Sequence, residues 1–121
     1  MGYKVQTIID QLNNDQLSIE EIRELLHHET ISVRANAVSA LAKHIPQNES
    51  LIDDLSQVIR DSKNNKLFIM GITVADWTII NLLQTDNPKA HLTAKQLIEE
   101  MAEPHRSDLL SYLKANSLIT D

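Results

Sequence analysis

The amino-acid sequence predicts an all-α fold, built as one domain of stacked helical hairpins, and three observations favour this class. Apolar residues make up 42% of the chain but aromatic residues only 3%, so the core must be aliphatic. Two glycines and three prolines are too few for the many turns of a β-sandwich, whereas a helical array needs little turn chemistry. A length of 121 residues suits a single domain that covers residues 1–121.

Four helices are predicted in the first half of the chain, at about 3–13, 18–28, 32–45 and 48–61. The first of these is expected to be an N-terminal capping helix. Ser18 and Glu21 have the spacing of a capping box, which marks the start of the second helix. The third helix is stopped by Pro46, because proline cannot continue a helix.

Three more helices are predicted in the second half, at about 66–84, 87–102 and 104–116. Twelve of the seventeen residues from Leu67 to Leu83 are apolar, on every side of a helical wheel. Such a helix is expected to be the most buried one of the domain. The sixth helix begins with Asn87 as its N-cap and Pro88 at its first position.

The segment 25–41 has a Leu-Leu step, a short turn, and a helix that opens with Val-Arg and small residues. The residues that carry this pattern are Leu25, Leu26, Val33, Arg34, Ala37, Ala40 and Leu41. The pattern resembles the HEAT repeat. The resemblance implies a short right-handed stack of antiparallel helical hairpins, an α-solenoid, with hairpins at about 18–45, 48–84 and 87–116. A generic helical bundle is the alternative architecture.

A shift of 34 residues suggests a second copy of the repeat, since it places Leu67 on Val33 and Gly71 on Ala37. Three side chains of the third helix share the face opposite its small residues: Asn36, Ser39 and Lys43. The same shift carries them onto Met70, Thr73 and Trp77. The second helices of stacked hairpins would line a groove, so these six residues are predicted to bind a partner, centred on Trp77. Alternatively, Met70 and Trp77 pack under the last helix.

Arg34 and Asp76 each lie in an otherwise apolar arc of their predicted helices. An unpaired buried charge is costly, so we expect these two residues to form a structural ion pair, with Asp61 as the other candidate partner of Arg34. A buried carboxylate with a raised pKa is the functional alternative for Asp76.

Several kinds of site are not expected. The five histidines contain no pair one helical turn apart, so no metal site is predicted. The chain has no cysteine, no Gly-x-Ser-x-Gly elbow and no glycine-rich phosphate loop, so neither catalysis nor a cofactor is expected. No membrane span is predicted, because Gly71, Asp76 and Asn81 interrupt the most apolar segment. A soluble, cytoplasmic protein is the expectation.

The leading functional hypothesis is therefore a non-catalytic adaptor or scaffold that binds a protein partner through its second helices. The resemblance also suggests a HEAT-like subunit associated with a bilin lyase, which handles chromophore-bearing antenna proteins. Some HEAT-like folds are DNA glycosylases, and the Asp76-Trp77 pair would suit that function. A net charge of −6 argues against this, because phosphate binding needs a basic patch.

Overall fold

The computed structural model describes residues 2–69 and 71–119, with the backbone alone for residues 2, 3 and 67–69. Within these residues the helices are α1 (Gly2–Asn13), α2 (Ile19–Leu25), α3 (Ile31–Ala42), α4 (Leu51–Arg60), α5 (Val74–Gln84), α6 (Pro88–Glu99) and α7 (His105–Ala115). Short 3₁₀ helices cover Ile45–Gln47 and Ser62–Asn65. The predicted helical class is confirmed.

Two of the predicted helix starts are fixed by local hydrogen bonds. The Glu21 N–H donates to Ser18 Oγ over 3.2 Å, and the Ser18 N–H donates to Glu21 Oε1 over 3.0 Å. These two bonds are the capping box predicted for α2. Asn87 caps α6 in the same way, since its Oδ1 accepts from the Ala90 N–H over 3.0 Å. In both cases a side chain satisfies a backbone N–H that the first turn leaves unpaired.

The predicted start of the fifth helix is wrong. The helix begins at Val74, not near residue 66, and the preceding residues form a small antiparallel hairpin of β1 (Leu67–Ile69) and β2 (Ile72–Thr73). Gly71 lies between the two strands with φ of +79°, a backbone conformation that favours glycine. The helix starts late because Thr73 and Asp76 form a capping box that orders the first turn after the hairpin.

The hairpin also changes the internal repeat. The connection from α2 to α3 covers residues 26–30, whereas that from α4 to α5 covers 61–73. As a result α3 and α5 begin 43 residues apart, at Ile31 and Val74, not 34. The second repeat copy in the predicted register is therefore wrong, because Leu67 and the turn residue Gly71 belong to the hairpin segment.

The centre of the domain is α5, which packs against α3, α4 and α6. In turn α3 packs against α1 and α2, and α4 packs against α6. All seven helices contribute aliphatic side chains to one buried core, as the composition predicts. None of the described helices is long and apolar enough to cross a membrane.

Candidate binding surface

Trp77 joins α5 to α3 at the predicted binding face. Its indole N–H donates to the Ala35 carbonyl over 3.0 Å and to Ser39 Oγ over 3.1 Å. The Trp77 side chain is half-buried and packs against the core. It therefore forms part of the helix–helix contact and is incompletely buried.

Beside Trp77 lies a shallow groove of about 290 Å³ between α3 and α5. Ser39 of α3 and Lys43, the residue that caps the end of α3, line one side, and Asn81 and Gln84 of α5 line the other. The Lys43 ammonium lies 3.8 Å from Asp15 Oδ1. Both of these side chains are exposed, so this ion pair holds Lys43 only weakly.

Asn36 extends the α3 side of this surface by one turn. Its side chain is half-buried, and its amide N–H₂ donates to the Ser32 carbonyl over 2.7 Å. Asn81 makes the matching bond on α5, where its amide donates to the Trp77 carbonyl over 2.9 Å. Each amide N–H₂ is thus bonded to a carbonyl of its own helix, four residues earlier.

One member of the predicted surface does not fit it. Thr73 is buried, and its Oγ1 accepts from the Asp76 N–H over 3.0 Å, so it caps α5 and does not line the groove between α3 and α5. Met70 lies outside the described residues. Asn81 and Gln84, one and two turns after Trp77, line the α5 side of the groove instead and were not predicted.

The predicted ion pair between Arg34 and Asp76 is also wrong. Arg34 is 4% exposed, and its Nε donates to Asn64 Oδ1 over 2.8 Å. Its Nη1 donates to the carbonyls of His28 and Glu29 over 2.7 and 3.1 Å. Arg34 therefore does reach the next hairpin, but its partner there is a neutral amide on the connection after α4.

Asp76 instead contacts α7. Its side chain is buried, with the residue 3% exposed, and its Oδ2 accepts from the Thr73 N–H over 3.2 Å. His105 Nε2 lies 2.7 Å from Asp76 Oδ1, while the His105 side chain is 46% exposed. Arg34 was expected to contact Asp76, but the side chain that does so is the imidazole of His105, 29 positions along the chain at the start of α7.

The first turn of α7 holds His105 in place. Glu103 Oε1 accepts from the Ser107 N–H over 2.9 Å and from the Ser107 hydroxyl over 2.7 Å. These two bonds lower the pKa of Glu103 below its usual value, and the bond from the Ser107 hydroxyl has the larger effect. The carboxylate that closes this turn therefore stays charged.

His105 opens onto a cleft of about 430 Å³, the largest of those described. Its lining residues are Ile59, Arg60, Asn65, Thr73, Leu97, Glu100, Met101, Ala102 and His105. The Nε2 atom of His105 is engaged by Asp76 Oδ1 at the edge of this cleft. The Thr73 hydroxyl is already used as a helix cap, so the described lining offers no activated nucleophile.

Metal binding finds no support in the described part of the chain, where no three side chains of His, Cys, Asp or Glu come together. Comparisons of the chain with family models, with curated proteins and with solved structures find no match. The residues themselves are therefore the basis for any functional conclusion.

Proposed function

We propose that this chain is a non-catalytic protein-binding domain that holds a segment of its partner in the groove between α3 and α5. One observation carries the proposal: polar side chains line the groove between α3 and α5 from both sides. Ser39 and Lys43 line it on the α3 side and Asn81 and Gln84 on the α5 side. Asn36 and Trp77 lie one helical turn before Ser39 and Asn81 on the same two helices. We call these six residues the α3–α5 surface.

The chemistry of the α3–α5 surface suits a polypeptide. Asn36 and Asn81 offer amide oxygens, and Trp77 offers an apolar ring with little conformational freedom to lose on binding. Lys43 is the only cation of this set, so the surface lacks the several positive charges that a phosphate backbone requires. A protein segment is therefore favoured over a nucleic acid.

We also propose that the helices form a short HEAT-like stack. Support comes from the contacts of α3 with α5 and of α4 with α6. In a stack of hairpins, second helices pack against second helices and first helices against first. In this arrangement α3 and α5 would be the second helices of successive units, which is where the α3–α5 surface lies.

Affinity capture from the source cell, with mass spectrometry, tests the proposal through a pair of double variants. Lys43→Glu with Gln84→Arg changes two exposed residues of the groove. Lys95→Glu with Gln96→Arg makes the same substitutions at exposed positions of α6, outside the groove. We expect one protein to be retained by the wild type and by the α6 variant and to be lost by the groove variant.

A photo-crosslinking amino acid at Lys43 or Gln84, compared with one at Lys95, provides a second measurement. Cross-linking of the captured protein from the two groove positions alone is the expected result. Equal capture by both double variants, together with cross-linking only from Lys95, would show that the partner binds elsewhere.

A further inference from the structure

A second groove lies at the other end of the domain, between α1 and α2. Both helices pack against α3, but they share little direct contact with each other. The groove that this leaves has a volume of about 390 Å³ and is lined by Ile8, Gln11, Leu17, Glu21, Glu24 and Leu25. We call it the α1–α2 groove. It shares no residue with the α3–α5 surface.

The floor of the α1–α2 groove is apolar and incompletely covered. Ile8, Leu17 and Leu25 each pack against the core with one side and remain partly exposed on the other. Covering such aliphatic side chains releases roughly 25 cal/mol for each Å² of apolar surface removed from water. A partner with an apolar face would gain this free energy.

The rim of the groove is negatively charged. Glu21 and Glu24 are exposed, one turn apart on α2, and neither forms an ion pair with a described residue. Neighbouring Glu20, by contrast, is paired with Arg23. Hydrogen bonds from Ser18 lower the pKa of Glu21, and the bond from the Ser18 backbone N–H has the largest effect. The charge of Glu21 therefore persists into mildly acidic conditions.

We propose that the α1–α2 groove binds a basic amphipathic helix of a partner protein. The apolar stripe of that helix covers Ile8, Leu17 and Leu25, and its lysines or arginines pair with Glu21 and Glu24. Helices that bind in grooves present apolar residues at positions i, i+3, i+4 and i+7, so one face of such a helix is apolar and the other can carry the basic residues. The net charge of −6 also attracts a basic partner during encounter.

The test uses a synthetic, acetylated and amidated helical peptide of leucine and lysine, with its leucines on one face. Calorimetry with the full chain is expected to give one-to-one binding that weakens as salt is added, because the rim is charged. In NMR spectra, the methyl signals of Ile8, Leu17 and Leu25 should shift on binding. Shifts centred on Trp77 and Asn81 would overturn this inference and would instead support the α3–α5 surface as a peptide site.

Two charge reversals separate a specific site from general attraction to an acidic protein. Glu24→Lys changes the rim of the groove, and Glu99→Lys makes the same change at an exposed position of α6. We expect Glu24→Lys to weaken peptide binding by roughly fivefold to tenfold relative to Glu99→Lys. Equal weakening by both variants would overturn the inference.

The α1–α2 groove could also be occupied by a second copy of the chain, and this must be distinguished from binding of a partner helix. Sedimentation velocity of the wild type and of Leu17→Ser answers this, because Leu17→Ser removes part of the apolar floor without changing charge. A monomer in both cases, with weaker peptide binding by Leu17→Ser, is the expected outcome. A wild-type dimer that Leu17→Ser dissociates would assign the groove to self-association and overturn the proposal.

Discussion

At the scale of single residues, Arg34 shows how a buried cation is accommodated by neutral oxygens. Its guanidinium bonds to two carbonyls after α2 and to the Asn64 amide, and Asn64 in turn donates to the Val58 carbonyl. Arg34 thus connects the end of α2 to the connection after α4. The planar group with donors on several nitrogens suits this task, which a lysine could not perform.

Arg34→Ala should therefore lower the free energy of unfolding by about 3 kcal/mol, because buried acceptors lose a charged donor. Urea denaturation measures this change, and Arg34→Lys should recover less than half of it. A double-mutant cycle of Arg34→Ala with Asn64→Ala should show coupling, since the two side chains are in contact. The cycle of Arg34→Ala with Asp76→Asn should be additive. Strong coupling in that second cycle would contradict the structure and support the ion pair between Arg34 and Asp76.

Glu21 gives a prediction about pH. Its pKa is lowered in the folded state from 4.5, so its charged form stabilises the fold. This contribution is fully present above pH 4.5 and is lost as the pH falls through the lowered pKa. Glu21→Gln keeps a hydrogen-bond acceptor without the charge. The difference in unfolding free energy between wild type and Glu21→Gln, from urea titrations across this range, should shrink on acidification; a constant difference would contradict the prediction.

At the scale of elements, the segment before α5 is where the predicted and observed secondary structures differ: a helix was predicted from about residue 66, and a β-hairpin is found. The capping boxes at Ser18 and Thr73 have the same spacing, so Thr73 and Asp76 were a local signal in the sequence for a helix that starts at Val74. A short apolar run fits either a strand or a turn of a buried helix. The apolar content of 66–84 was therefore compatible with one long helix as well as with a hairpin followed by a shorter helix. The β-branched and aromatic residues around Gly71 were the local signal for a hairpin.

The error at this element explains most of the error at the candidate surface. Ser39 and Lys43 do line one groove, because α3 begins within one residue of its predicted start. Thr73 was misplaced because a helix that starts eight residues later presents different residues to α3. The contacts of Arg34 and Asp76 could not be derived from spacing, since they depend on the tertiary arrangement of 62–65 and of α7.

Gly71 tests the hairpin directly. An added Cβ would meet no atom within 4 Å, so only the positive φ opposes a larger residue. Gly71→Ala should destabilise the domain by about 1 kcal/mol, and Gly71→Asn by less, because asparagine tolerates this conformation better. Thermal unfolding of the two variants gives the comparison. A more stable Gly71→Ala would indicate a helix through this segment, as the apolar pattern first suggested.

At the scale of the whole molecule, the burial of α5 predicts where the stability lies. Leu82 is fully buried in α5, so Leu82→Ala should cost roughly 2–5 kcal/mol of unfolding free energy. Leu92→Ala is the matched control, because Leu92 is 57% exposed on α6 and its loss should change stability by less than about 0.5 kcal/mol. Hydrogen exchange should be slowest for the amides of α5. Slower exchange in α2 than in α5 would contradict this arrangement.

The position of α5 also determines how cooperatively the domain unfolds. In a long array of repeats, each unit touches only its neighbours, so an end unit can melt while the others persist. Here one helix contacts α3, α4 and α6, and these belong to all three predicted hairpins. Opening α5 removes the packing partner of every hairpin at once. Calorimetry should therefore record a single melting transition whose van't Hoff and calorimetric enthalpies agree.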